Sequence, residues 1–252
     1  MDLTAFSCIL LFFTGLLAGF VDAIAGGGGL IALPILLSTG MPPQVALGTN
    51  KLQGSFGTLS AAINFIRKGK ASLRDNWPGI AFTLAGAAAG AMAIQMMDAG
   101  FIRHIIPFML LVVFTYTLVQ KNLGVIPGPQ KLGRLPFFIL FGLTLGFYDG
   151  FFGPGTGAFW TGALLIFLGQ DMTGATGTTR IMNFTSNVVA LILFIIGGNV
   201  FWSAGLIMAA GQVIGARIGS GMAIRKGAPF IRPIFLTMVF LTIMRLIYVN
   251  YL

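Results

Sequence analysis

Glutamate is absent from the 252-residue chain, and cysteine and histidine occur once each, at Cys8 and His104. One cysteine allows no internal disulfide and no cysteine-based metal site. The sequence holds no HExxH, no Walker loop and no nucleotide-binding fold, and its glycine run does not follow a strand. The string Gly153-Pro154-Gly155-Thr156-Gly157 does not fit the nucleophile elbow G-x-S-x-G. No nucleophile–base or metal constellation is present, so an enzyme is not expected, nor a cofactor. Charge is scarce as well. Charged residues make up 8% of the chain, against about 25% in a soluble domain, so the chain cannot cover a water-facing surface. No long polar stretch interrupts it, and no soluble domain is expected.

Apolar residues fill the space. They make up 56% of the sequence, with a mean hydropathy of +0.93. Runs of roughly twenty apolar residues, each long enough to cross a bilayer, recur along the chain. A membrane β-barrel would need short alternating strands instead. The expected class is an all-α polytopic membrane protein embedded in a lipid bilayer. The formal net charge is +9, but the cations sit in short segments between apolar runs. That is the pattern of topology determinants rather than of a nucleic-acid-binding stripe. The start, Met1 to Phe6, lacks a basic n-region, so the first run reads as a retained span.

Taken in order, the long runs are 3–24, 45–66, 77–97, 101–119, 135–152, 175–196, 200–222 and 230–249. They predict about eight long transmembrane helices. Two half-length pieces, 30–38 and 158–169, each follow a glycine break and predict two glycine-broken hairpins. The motif Gly19 to Pro34 returns as Gly146 to Gly157. Gly19, Phe20, Asp22, Gly26 and Gly28 match Gly146, Phe147, Asp149, Gly153 and Gly155 at one constant offset. Such a return points to a duplicated unit. Lys121 to Arg134, with Pro127, Gly128 and Pro129, is the natural boundary. It separates a first transmembrane repeat, 1–124, from a second, 125–252. Gly86 and Gly90, and Gly211, Gly215 and Gly219, carry the spacing for close helix packing.

Charge orients the halves. The basic loops 67–74, 121–134 and 225–232 should be cytoplasmic. Their counterparts in the other half, Gly197-Gly198-Asn199 and Asp98-Ala99-Gly100, then lie outside. Equivalent positions face opposite sides, which is the mark of inverted-topology repeats. Both termini are expected outside, periplasmic for a bacterial inner membrane.

Three sets of residues carry candidate chemistry. At membrane depth a broken helix frees backbone groups that must line a cavity or be buried in protein. The runs at Gly27, Gly28 and Gly29 and at Gly155 and Thr156 can aim amides and helix N-termini at an anion. Tight packing without a ligand is the competing reading. Lys51 and Arg180 sit at matching positions inside apolar segments, beside Asn50, Gln53, Thr178, Thr179 and Asn183. Together these donors suit an anion, whereas snorkelling of the two cations to the headgroups is equally open. Asp22 and Asp149 are candidates for proton coupling, or structural acceptors for freed amides and partners for Lys51 and Arg180. Asn64 and Asn187 read as interhelical hydrogen-bonding residues, and His104 as a surface residue.

At Gly19 to Pro34, Ala46 to Gln53, Gly146 to Gly157 and Asn183 to Asn187, the chain resembles the TauE/SafE family of sulfite and organosulfur anion exporters. The resemblance covers essentially the whole chain. It implies a bacterial inner-membrane secondary transporter that exports small anions such as sulfite or sulfonates, coupled to the proton gradient. It implies substrate binding at Gly27, Gly28, Gly29, Asn50, Lys51, Gln53, Gly155, Thr156, Thr178, Thr179, Arg180 and Asn183, with alternating access around the paired glycine breaks. Pro154 and Thr156 stand where the first half has Gly27 and Gly29, so the site need not be symmetric. An anion channel and a non-transporting membrane scaffold subunit are the alternatives, and homo-oligomerisation is left open.

Overall fold

The computed structural model describes residues 4–101, 128–227, 229, 230 and 233, and no strand occurs among them. The expected spans 101–119 and 230–249, most of the linker before Gly128, and His104 fall almost wholly outside these residues.

Eight helices are described. They are α1 Ala5–Ala25, α2 Gly28–Ser38, α3 Pro43–Arg67, α4 Leu73–Gln95, α5 Arg134–Phe151, α6 Thr156–Phe167, α7 Met172–Ile196 and α8 Trp202–Lys226. Local chemistry sets the boundaries. Thr4, Ser72 and Asp171 accept backbone N–H bonds as N-caps of α1, α4 and α7, satisfying donors that a helix start leaves free. Gly26 ends α1 at φ 80°, and Gly155 precedes α6 at φ 83°, a conformation that costs side-chain-bearing residues about 1–2 kcal/mol.

Among the described helices, α1, α4, α7 and α8 are long and apolar enough to cross a membrane. The helix α3 is as long as α7, at 25 residues. It falls short in apolar character because Thr49, Asn50, Lys51, Gln53, Ser55 and Thr58 are all buried along it. The two half-length pieces are helices of 11 and 12 residues, α2 and α6. The exterior of α1 is apolar, with Phe6, Ile9, Leu10, Phe13 and Leu17 exposed. Apolar outside and polar inside is the arrangement expected where lipid is the solvent.

Helix α1 packs on α8, α4 packs on α5, and α3 packs on both α7 and α8. Both glycine-rich pairs run parallel. A Cβ at Gly215 would fall on the Leu16 carbonyl oxygen, and one at Gly219 on that of Phe20. A Cβ at Gly86 would meet Leu143, and one at Gly90 would meet Phe147. By contrast, α3 and α7 are antiparallel. Thr49 near the start of α3 accepts from Phe201 N beyond the end of α7. Gly177 near the start of α7 lies against Phe65 and Lys70 at the end of α3.

The cations gather at one end. Arg67, Lys68, Lys70 and Arg74 lie there, Arg134 Nη2 donates to Asp75 O at 2.9 Å, and Lys131 N donates to Phe167 O at 2.8 Å. Gly227, just after Arg225 and Lys226, faces Thr173 at the same end. At the opposite end Gln44 donates to Met97 O and Asn199 to Gln95. Helix α1 starts at this end, where the described residues include no cation, since it runs parallel to α8, and α3 starts there too. Helix α5 starts at the basic end, and α6 ends there beside Lys131.

Candidate functional site

The two glycine breaks meet. A Cβ at Gly26 would lie 2.5 Å from the Cα of Gly157, and one at Gly29 would lie 3.1 Å from the Cα of Pro154. Only a chain without side chains at these points lets two backbones come so close.

Four charges surround this contact, and they pair across the halves of the sequence. Arg180 on α7 donates through Nη1 to Asp22 Oδ2 at 3.0 Å and to the Asp22 carbonyl. Lys51 on α3 donates to Asp149 Oδ1 at 2.6 Å, to the Asp149 carbonyl, and to Asn187 Oδ1 at 3.1 Å. Thus the carboxylate beside each break binds the cation from the other half. Lys51 and Arg180 side chains are 1% and 0% exposed, so neither snorkels out. Asp22 also accepts from Gly28 N at 3.2 Å, a freed amide at the break. Asp149 accepts from the Ser186 hydroxyl. The two buried pairs together carry no net charge, as expected where breaking one would cost about 3–5 kcal/mol.

Between the pairs lies a cavity of about 30 Å³, room for a very few water molecules. Of the sequence-predicted residues, Asp22, Gly29, Asn50, Lys51, Gln53, Asp149, Gly155 and Asn183 line it. Asn187, Gln212 and Gly54 join them. Around it, Arg180 Nε and Nη2 and the amide oxygens of Gln53, Asn183 and Gln212 have no hydrogen-bond partner among the described residues.

Other predicted residues lie off the cavity. Gly27 does not line it, and the Gly28 amide is taken by Asp22. The Thr156 hydroxyl donates to Gly153 O at 2.6 Å, and the Thr179 hydroxyl pairs with that of Thr161. Thr178 lines a separate depression at the basic end, with Lys70 and Arg134. Arg180 stands behind Asp22, wholly buried.

Ser186 and Gln212 were not singled out by sequence reasoning, and Asn187 only as an interhelical bridge. Arg180, Asn183 and Asn187 form a stripe at helical spacing on α7, and that repeat was a usable signal. Gln212 lies beside Gly211 in a small-residue packing stripe, where a buried amide is costly unless partnered. Asn64 does bridge helices, donating to Ser220 at 2.8 Å and accepting from Arg217 at 3.2 Å.

Comparison with known proteins decides the family. The model described as "Sulfite exporter TauE/SafE" matches residues 11–246. The chain belongs to the TauE/SafE family. A "Probable membrane transporter protein" of Haemophilus influenzae is 43% identical over 248 residues, covering 98% of this chain and 97% of its own length. The "Probable membrane transporter protein YfcA" of Escherichia coli is 43% identical over 224 residues, covering 89% and 83%. The "Probable membrane transporter protein YunE" of Bacillus subtilis is 27% identical over 244 residues, covering 86% and 88%. No solved structure matches the chain. As a TauE/SafE protein it is a membrane transporter and not an enzyme.

Proposed function

We propose that this TauE/SafE protein is a secondary transporter that exports small, sulfur-containing anions such as sulfite or sulfonates, coupled to protons. The observation that carries the reading is the crossed pairing of Asp22 with Arg180 and of Asp149 with Lys51 around the meeting point of the two glycine breaks. Buried cations in a membrane protein mark an ion pathway by default. The cations give the site its preference for anions, and the buried carboxylates are the groups that can take and release protons. Asn50, Gln53, Asn183 and Asn187 supply the neutral polar contacts that orient an oxyanion. The description of the family as sulfite exporters favours sulfite among such anions.

The architecture we propose is two inverted-topology repeats, 1–124 and 125–252, with about eight long transmembrane helices in all. Helices α1 and α2 enter from the end opposite the cations and return to it, while α5 and α6 do the same from the basic end. The antiparallel pair α3 and α7 lies between them. This supports a pseudo-twofold axis in the membrane plane, a plan on which transporters alternate access around a fixed site. The described cations outside the site gather at one end, so that end is assigned to the cytoplasm of a bacterial inner membrane. The N-terminus of α1, at the opposite end, is then periplasmic, and with it the C-terminus. The substrate moves as the hairpin-bearing elements rock against α3 and α7. A channel would need a continuous pore, and the cavity's small volume favours a carrier.

The test is flux into proteoliposomes. Purified protein should carry radiolabelled sulfite with saturation and should exchange internal for external sulfite. Lys51→Ala and Arg180→Ala should each reduce the rate at least tenfold while remaining in the bilayer. Unaltered flux in both variants would remove the site from the pathway.

A further inference from the structure

Each buried cation of this site already has a carboxylate. Lys51 is the more telling of the two, because all three of its N–H bonds are committed: to Asp149 Oδ1, to the Asp149 carbonyl and to Asn187 Oδ1. Lys51 and Asp149 both line the cavity, and Lys51 has no N–H left to donate to an anion beside the existing pair. An anion that bonds Lys51 must therefore displace one of these acceptors, and of the three only the Asp149 carboxylate can be neutralised by a proton as it leaves. If the carboxylate stayed ionised, the site would hold two anions against one buried Lys51, and like charges so placed repel strongly. If the carboxyl takes a proton, the count is unchanged: one cation, one anion and one neutral acid.

From this geometry we infer that the transported anion and a proton bind together, the proton on Asp149 and the anion on Lys51. The anion thus replaces a carboxylate that holds its place in the empty site. The proposal rests on the anion-transport reading above and specifies its coupling. The proton comes from water and forms a carboxyl O–H; no bond within the anion forms or breaks. Ser186, whose hydroxyl bonds Asp149 Oδ2, keeps the neutral carboxyl in place after it releases Lys51.

The surroundings leave Asp149 as the exchanging group. Lys51 faces it from α3, and Ser186 and Asn187 face it from α7. Among the described residues, Tyr148 of its own helix and Arg180 of α7 also interact electrostatically with Asp149, and Asp22 lines the same cavity. Tyr148 donates to Pro154 O at 2.8 Å. Helix α6 carries no titratable side chain, and α4 carries only Arg74 and Asp75, both at the basic end. Asp22 is held by the Arg180 guanidinium, which also bonds its backbone carbonyl, and by the Gly28 amide; it is the fixed member. One proton moving with one monoanion makes the cycle electroneutral. Export then proceeds whenever the outward anion gradient exceeds the inward proton gradient.

The experiment uses purified full-length protein in detergent and titrates methanesulfonate and ethanesulfonate, which stay fully ionised from about pH 5 to 8. Wild-type affinity should fall about tenfold for each unit rise in pH, the slope of one linked proton. Asp149→Asn should bind both probes with no pH slope, and Ser186→Ala should keep the slope. A pH-independent wild type, or a slope that survives in Asp149→Asn, overturns the inference and leaves the transport reading standing. Failure of both sulfonates and of sulfite to bind at any pH overturns the two together. Should Asp149→Asn fail to fold, wild-type proteoliposomes decide. Methanesulfonate influx should acidify the lumen by one proton per anion, and an unchanged or rising lumenal pH overturns the inference.

Discussion

Replacing Lys51 by Met should destabilise the protein, and replacing Asp149 by Leu in the same chain should restore most of the loss. Lys51 and Asp149 side chains are 1% and 4% exposed and 2.6 Å apart, so solvent screening does not discount the pair. Removing one partner leaves the other buried without its counter-charge, at a cost of about 3–5 kcal/mol. Removing both exchanges an ion pair for apolar volume, which is often neutral. The coupling between the two sites should therefore be at least about 2 kcal/mol, in the sense that the double variant is far more stable than the sum of the singles. With about 2–4 °C per kcal/mol for a chain of this length, each single variant should melt roughly 10 °C below wild type. The assay is a thermal or denaturant unfolding series on four detergent-purified proteins: wild type, Lys51→Met, Asp149→Leu and the pair. Strictly additive losses would refute the pairing, because independent sites add within about 0.5 kcal/mol.

Other outcomes follow from the same geometry. Gly26→Ala combines an unfavourable φ of 80° with a Cβ placed 2.5 Å from Gly157; it should cost about 1–2 kcal/mol for the backbone alone and reduce transport at least tenfold. Sulfite flux in proteoliposomes and a melting curve read the two effects. Asn64→Leu removes bonds to Ser220 and Arg217 away from the cavity, so it should cost about 1 kcal/mol and leave sulfite flux within twofold of wild type. In a Cys8→Ser background, Lys70→Cys should react with an impermeant maleimide only from the cytoplasmic face; labelling from outside intact cells would reverse the assigned orientation.

The most legible residues were the charges. A lysine, an arginine and two aspartates inside apolar runs cost too much to be incidental, and all four converge. Their partners were not legible. Asp22 and Arg180 are 158 positions apart, and Lys51 and Asp149 are 98 apart; nothing local in a sequence encodes a crossed pairing over such separations. The glycine breaks were placed to within a residue or two, because a half-length apolar piece after a glycine run has few other solutions at membrane depth. What each glycine does was less readable. Gly28 spends its amide on Asp22, while Gly26 and Gly157 serve the approach of two backbones. The threonines were misleading for a geometric reason. Thr178 and Thr179 align with Thr49 and Asn50, yet successive residues on a helix turn by about 100°. Arg180 and Asn183 accordingly reach the site while Thr178 faces the basic end and Thr179 pairs with Thr161. Helix α3 was expected as a membrane span like the others. At 25 residues it is long enough to be one, and it is the most polar of the long helices because its buried face furnishes much of the cavity wall.

The most direct test of the account is sulfite flux itself, measured in proteoliposomes made from wild type and from Lys51→Ala. The account predicts saturable sulfite transport by wild type, competed by methanesulfonate, and at least a tenfold loss in the variant despite equal incorporation. Equal sulfite flux in wild-type, variant and protein-free liposomes would contradict it.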